Sequence, residues 1–262
     1  MQMQIDIKKI IQEYWTENVP GLDVISRRYS VDQPEFYIEA DKFRYRYDSY
    51  IPSLVSSFAV KGKRILEIGC GLGSDSRLIA REGALVTSLD LSRRNVWLTL
   101  NGLRLLGLRG NGLCADAEQL PFQENSFDGV YSFGVLHHTP DTVKAVNEIH
   151  RVLKPGGACV IMLYHKGYGY FLLLLGYGWR RLLGFWKKEN LMSKYDHTPL
   201  SKLYSKKEIF RLFGKFTDTK LEMVTYGGIQ AHPLLKYMHW LLEKNRCLMW
   251  RLGSFAIIKA KK

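Results

Sequence analysis

Residues 66–73 read Leu66-Glu67-Ile68-Gly69-Cys70-Gly71-Leu72-Gly73, three glycines spaced G-x-G-x-G behind an acidic residue. Glycine at these positions lets the backbone turn tightly and approach a ligand with no Cβ in the way. A helix that starts directly after such a turn also presents free N–H groups. Dinucleotide-binding domains carry a related loop, but with the spacing G-x-G-x-x-G, which this segment lacks. The carboxylate of Glu67, at the strand end, suits a ligand with cationic groups better than a pyrophosphate.

Three later segments extend the pattern. Asp90 closes Thr87-Ser88-Leu89-Asp90, 17 residues beyond Gly73 and just before Leu91. An acid at that strand end can accept both hydroxyls of a ribose, although in isolation it reads as a helix cap. Asp116, in Cys114-Ala115-Asp116-Ala117-Glu118, is placed to accept a hydrogen bond from an adenine amino group; alone it is a loop aspartate. The run from Phe127 through Phe133 to His137, His138 and Asp141 puts a histidine pair beyond another strand. Ligands of open α/β sheets bind beyond the C-terminal strand ends, so at least one histidine is expected to face a substrate. Tyr164 and His165, at the end of a fifth apolar run, are second candidates for the same pocket.

The elements needed to position these residues follow from periodicity. Strands are expected at residues 63–68, 85–89, 112–115, 127–133 and 158–164, with helices at 74–82, from Ser92 to about 106, and at 140–153. Lys154-Pro155-Gly156-Gly157 reads as a sharp stop after the last of these. Short apolar runs alternating with helical patterns indicate a parallel sheet covered by helices. Residues 165–204 break the rhythm, and a gap that long in a compact α/β domain reads as a cap. Within it, residues 168–179 are apolar but too few to span a bilayer, which takes roughly 20 residues. They read as a buried or substrate-facing helix, with an amphipathic element resting on a membrane as the alternative. Beyond the cap come a helix at 205–213, strands at 221–226 and 255–260, and a helix-like stretch at 232–244. The division is therefore an N-terminal helical, aromatic cover (1–60), a core (61–164), a cap insertion (165–204) and a C-terminal completion of the sheet (205–262).

Composition bounds the class. The chain has 262 residues, 46% hydrophobic and 24% charged, ordinary for a globular domain with a sizeable core. Cys70, Cys114, Cys159 and Cys247 form no CxxC pair, which argues against disulfides or structural zinc. The first residues lack the layout of a signal peptide, so a cytoplasmic location is expected. Residues 1–164 hold 19 Lys and Arg against 19 Asp and Glu, so the whole net charge of +13 lies in residues 165–262. Such a basic part is either a solubilising surface or attracted to something anionic: substrate, lipid or nucleic acid.

Taken together, these segments make residues 63–163 resemble the S-adenosylmethionine (SAM) binding core of the class I methyltransferases, most of all the ubiquinone/menaquinone-type group. The resemblance covers about 100 of 262 residues. It implies an α/β, Rossmann-like, doubly wound sheet of seven strands with an antiparallel last strand. It further implies that Gly69, Gly71 and Gly73 line the methionine moiety, with Glu67, Cys70, Leu91 and Phe133 as further cofactor-binding candidates. Asp90 would hold the ribose, and Asp116 and Ala117 the adenine. SAM then supplies a sulfonium leaving group, so such a protein mainly aligns a nucleophile and excludes water, leaving S-adenosylhomocysteine.

A general base is needed only where the acceptor loses a proton, and His137 and His138 are the candidates. No histidine cluster suggests a metal. The N-terminal segment adds Tyr29, Phe36, Tyr37, Phe43, Tyr45, Tyr47 and Tyr50 among Arg44 and Arg46. Such rings, Tyr37 and Tyr45 among them, either wall an acceptor pocket and cover the sulfonium, or simply pack a helix on the sheet. The expected substrate is a small lipophilic or aromatic molecule, with peripheral membrane contact as a further expectation. The alternatives are a nucleic-acid or membrane-lipid methyltransferase using the basic part, or a SAM-binding regulator without catalysis. No NPPY-like tetrapeptide follows residue 131, which argues against nucleic acid.

Overall fold

The computed structural model describes residues 2–58, 61–167, 198–225 and 244–262. The apolar stretch 168–179, the cap as far as residue 197, and nearly all of the expected helix 232–244 lie outside the described residues.

Seven strands are present among the described residues: β1 (Arg64–Ile68), β2 (Leu85–Asp90), β3 (Asn111–Cys114), β4 (Phe127–Phe133), β5 (Leu153–Tyr164), β6 (Thr217–Val224) and β7 (Phe255–Lys261). They form one sheet in the order β3-β2-β1-β4-β5-β7-β6. Neighbours from β3 to β5 run parallel, whereas β7 is antiparallel to both β5 and β6. From β1 the chain winds outward to β2 and β3, then returns to β4 on the other side. The strand order thus reverses between β1 and β4, where open sheets leave a ligand crevice at the C-terminal strand ends.

Continuous apolar runs in the central strands follow from burial on both faces. On one face, Leu66, Ile68, Val130 and Ile161 pack under α7 (Thr142–Val152) and α8 (Lys206–Leu212). On the other, Ile65, Val86, Tyr131 and Val160 pack under α4 (Ile51–Ser56) and α5 (Ser74–Arg81). The cover preceding β1 is helical, as expected: α1 (Gln2–Glu17), α2 (Leu22–Ile25) and α3 (Pro34–Tyr47) come before α4. α2 and α3, with α6 (Arg93–Leu105), enclose a third cluster around Phe36, Tyr37 and Leu98. α9 (Arg246–Leu252) leads into β7.

Local chemistry sets the helix ends. Ser92 accepts from the Asn95 amide and caps α6, and Ser205 with Glu208 forms a reciprocal capping box at α8. α7 begins two residues later than expected because Asp141 caps it through the Lys144 amide. Lys154-Pro155-Gly156-Gly157 is no stop between elements: β5 starts at Leu153, and the segment forms an irregularity in its pairing with β4 between Phe127 and Gly129. β6 likewise begins at Thr217 rather than at residue 221.

One buried ion pair fastens the cover to the core. Arg77 of α5, with no exposed surface, donates to Asp41 Oδ1 of α3 (2.5 Å), to the Leu72 carbonyl (2.7 Å) and to Ser74 Oγ (3.2 Å). Its guanidinium lies 5.1 Å from the Tyr37 ring. Tyr37 therefore belongs to the interior and not to an acceptor pocket. Its hydroxyl accepts from Asn101 Nδ2 at 3.0 Å, and its ring blocks the space a Cβ at Gly102 would need.

Candidate active site

The glycine turn joins β1 to α5 with Gly69, Gly71 and Gly73 all at positive φ. Only glycine adopts this run of left-handed residues without strain. Their surroundings differ. A Cβ on Gly69 would fall 2.1 Å from Val135 Cγ2, and one on Gly73 would fall 2.9 Å from the Thr99 Cα, whereas at Gly71 the nearest atom is Val19 Cγ1 at 3.5 Å. Gly69 and Gly73 thus allow close packing against the β4 end and α6. Gly69→Ala should destabilise the protein by about 2–3 kcal/mol through backbone strain and overpacking, measured by urea unfolding. Gly107→Ala, at positive φ with no neighbour within 4 Å, carries only the strain part and should cost less.

Glu67 does not point a charge at the crevice. It is buried and accepts a hydrogen bond from Ser76 Oγ, which also lies 2.6 Å from Ser88 Oγ. Burial, reinforced by the Asp75 carboxylate, pushes its pKa well above the ordinary carboxylate value. The expectation of a carboxylate aimed at a cationic ligand is corrected accordingly: the group ties β1 to α5. Cys70 is buried beside it, its thiol pushed up by burial and by Asp90.

Asp90, at the C-terminal end of β2, organises the turn. Oδ2 accepts from the Gly71 amide (3.1 Å), and Oδ1 accepts from the Ser92 amide (2.9 Å) and Asn95 Nδ2 (3.2 Å). One carboxylate thereby fixes both the glycine turn and the start of α6. Burial raises its pKa, opposed by these donors.

The residues that cover this crevice come from α1. Lys8 Nζ donates to Asp116 Oδ2 at 2.6 Å and pairs with Glu118 Oε2 at 2.5 Å. Gln12 Nε2 donates to the Leu91 carbonyl (2.7 Å), and Thr16 Oγ1 is bonded to Ser92 Oγ (2.8 Å). Asn95 Nδ2 reaches the Trp15 carbonyl at 3.2 Å. Lys8, Gln12 and Thr16 are four residues apart, so they form one polar stripe along the helix. That i, i+4, i+8 stripe is the sequence signal for the strap; the aromatic residues from Tyr29 onward are not. Asp116 holds Lys8 with Oδ2 and the Glu118 amide with Oδ1, while Ala117 is buried beside it.

Beyond β4 and β5 lies a group of aromatic rings. His137 stacks on Tyr164 with centroids 3.7 Å apart, and His138 lies 4.2 Å from His137 and 4.9 Å from Trp15. Tyr164 stacks in turn on Phe255 at 5.2 Å. His138 Nδ1 lies 2.6 Å from the Leu200 carbonyl, which only accepts; the proton is therefore on Nδ1, and Nε2 carries the lone pair. Both ring nitrogens of His137 are buried with no hydrogen-bond partner among the described residues. Burial holds His137 well below the ordinary histidine value, and lowers His138 to about 4. Both are neutral near pH 7. His138 Nε2 thus offers an acceptor that orients a donor rather than a strong base.

That shift has a sign. An unfolded histidine titrates near 6.5, so His138 contributes stability fully above that pH and loses it as pH falls towards 4. From pH 7 to pH 5 the wild type should lose about 2 kcal/mol more than His138→Gln in paired urea titrations.

The other expected pocket residues separate. Phe133 ends β4 with the Arg44 guanidinium 4.8 Å over its ring and Tyr50 at 6.1 Å. Arg44 also donates to Asp48 (2.8 Å) and Asp75 (3.2 Å). Tyr45 donates to the Ser74 carbonyl at 2.9 Å and so supports the first turn of α5. His165 is buried, its Nδ1 on the Gly253 carbonyl at 2.8 Å, which makes it a tie between the β5 end and the α9–β7 junction and not a pocket residue. Among the described residues no group of His, Cys, Asp or Glu could hold a metal ion, and no helix is long and apolar enough to cross a membrane.

Comparison with known proteins agrees with this geometry. Residues 66–161 match the methyltransferase domain family. Phosphoethanolamine N-methyltransferase 2 of Caenorhabditis elegans is 34% identical over 153 residues, 57% of this chain and 33% of that protein. Cycloartenol-C-24-methyltransferase of Arabidopsis thaliana is 41% identical over 101 residues, 36% of this chain and 29% of that protein. The chain thus spans a third or less of these two relatives' length. Among solved structures, the [4+2]-cyclase SpnF shares the fold with a TM-score of 0.63 and 19% identity, over 97% of this chain and 95% of that one. Residues 66–161 thus match a methyltransferase domain, and the seven-stranded sheet built on them has the fold of the class I methyltransferases. A cyclase on the same fold shows that the fold alone does not name the reaction.

Proposed function

We propose that the chain is a SAM-dependent methyltransferase acting on a small lipophilic or aromatic acceptor. The observation that carries this reading is a juxtaposition. The left-handed glycine turn held by Asp90 and the aromatic group of Trp15, His137, His138 and Tyr164 sit at adjoining C-terminal strand ends. SAM fits the first part: Gly69 and Gly71 would lie along its methionine moiety, Asp90 and Leu91 at the ribose, and Asp116 and Ala117 at the adenine. An adenine amino group reaching Asp116 has to share or displace Lys8. When bound, the cofactor supplies an electrophilic methyl on sulfur.

The protein's own residues do the rest. The rings of Trp15 and Tyr164 exclude water and favour an apolar acceptor. His138 Nε2 accepts a hydrogen bond from the acceptor's nucleophilic group and orients it. Held along Gly69, Gly71 and Asp90, the cofactor would supply its methyl to the acceptor's lone pair and keep the bonding electrons on sulfur, and an acceptor proton hydrogen-bonded to His138 Nε2 would be released to solvent.

The test is calorimetric titration with S-adenosylhomocysteine followed by labelled-methyl transfer to a panel of phenols, quinones, sterols and phosphoethanolamine. Binding with transfer to apolar members is the expected result, and His138→Ala should lower kcat roughly tenfold or more. Turnover of phosphoethanolamine alone would overturn the acceptor class. Binding without transfer to any member would leave a cofactor-binding regulator instead.

A further inference from the structure

We infer that the face shared by α8 and α9 docks on an anionic lipid surface. Its apolar part is Phe210 and Trp250, 47% and 42% exposed, large rings that a face turned only to water has no reason to display. They are brought together by Lys206. It lies one helical turn before Phe210, and its ammonium sits 4.2 Å from the Trp250 ring while donating to the Trp250 carbonyl. Leu248 of α9 is exposed nearby in sequence, whereas Met249 anchors the helix on the core.

The charge around these rings is one-sided. Lys207 and Arg211 of α8 and Arg251 of α9 are exposed, and none makes an ion pair among the described residues. The acidic residues described in this part of the chain are already matched: Glu208 by Lys166 (2.8 Å), Asp218 by Lys261 (3.1 Å) and Glu222 by Lys259 (3.2 Å). Residues 165–262 carry the whole net charge of +13. Aromatic rings at headgroup depth with cations around them are what an anionic bilayer surface recognises. A bare polyanion would need the cations but not the rings.

The face also adjoins the acceptor end of the site. α9 runs into β7, whose Phe255 pairs with Tyr164 and stacks on it. Residues 198–205 lead from the Leu200 carbonyl on His138, past the Lys202 amide on the His137 carbonyl (3.0 Å), into α8. A lipophilic acceptor could thus be drawn from the surface on which the protein rests. Docking itself is independent of the methyl-transfer reading, because it is measured without cofactor or acceptor.

Flotation of the full chain with phosphatidylcholine vesicles, and with mixed phosphatidylcholine–phosphatidylglycerol vesicles, tests the inference. The mixed vesicles should bind roughly tenfold more tightly or better, and salt should weaken that preference. Phe210→Ser/Trp250→Ser should lose most of the binding, and Lys207→Glu/Arg211→Glu the preference for the anionic lipid. Thermal melting of each variant reports its folding; should the first unfold, the second pair, on exposed helix positions, decides alone. Equal binding to both vesicles would overturn the inference. Binding that ignores Phe210 and Trp250, or that RNA competes for equally well in wild type and in that variant, would assign the face to a polyanion instead.

Discussion

Replacing Arg77 by methionine should lower the free energy of unfolding by about 3 kcal/mol, as expected for removing one partner of a buried ion pair. The guanidinium is fully buried and makes bonds that no apolar side chain replaces: to Asp41, to the Leu72 carbonyl and to Ser74. Its loss leaves Asp41 facing only Arg81, at 2.9 Å, which keeps the cost near the lower end of the usual range of about 3–5 kcal/mol. Because Leu72 is part of the glycine turn, cofactor affinity should fall together with stability. Urea unfolding of Arg77→Met and of Arg77→Met/Asp41→Asn separates the effects. The double variant should recover part of the loss, since it removes the orphaned charge. A loss under about 1 kcal/mol in the single variant would mean that the pair does not fasten α3 to α5.

Asp90→Asn should weaken binding of S-adenosylhomocysteine about a hundredfold while costing less stability than Arg77→Met. The carboxylate accepts from the Gly71 and Ser92 amides, both of which can only donate. An amide group in its place must turn an N–H₂ towards one of them. The acceptor lost to the turn and the charge-assisted acceptor lost to a ribose hydroxyl, each worth about 1.5 kcal/mol, together give the hundredfold figure. Calorimetric titration reads the affinity directly. Wild-type binding by Asp90→Asn would remove the ribose from this carboxylate.

What could be read from the sequence was local. The G-x-G-x-G turn and the cap at Ser92 are specified by neighbours in the chain, and the structure realises both. The alternation of apolar runs and helical patterns indicates a parallel sheet covered by helices for the same reason, while the seven-stranded form comes with the family resemblance. Glu67, Tyr37 and His165 read differently because their partners are distant or lie across an element: Ser76 on α5, Asn101 on α6, and the Gly253 carbonyl after α9. Nothing in Tyr37's immediate neighbourhood distinguishes a ring facing a pocket from one closing the gap above Gly102. The strap formed by α1 was legible only as a stripe of polar residues, and its meaning depends on the carboxylates of Asp116 and Glu118 more than a hundred residues away.

The position of β7 bears on how the chain assembles during synthesis. It is translated after both β5 and β6, yet it lies between them in the sheet, bonded to β5 on one side and β6 on the other. Until residues 255–261 have left the ribosome, β6 has no strand to pair with and the outer edge of β5 is open. The glycine turn, Asp90 and the first five strands can be in place well before that. Completion of the sheet is then a late, long-range step, during which an apolar strand edge stays unpaired and available to chaperones or to misassociation.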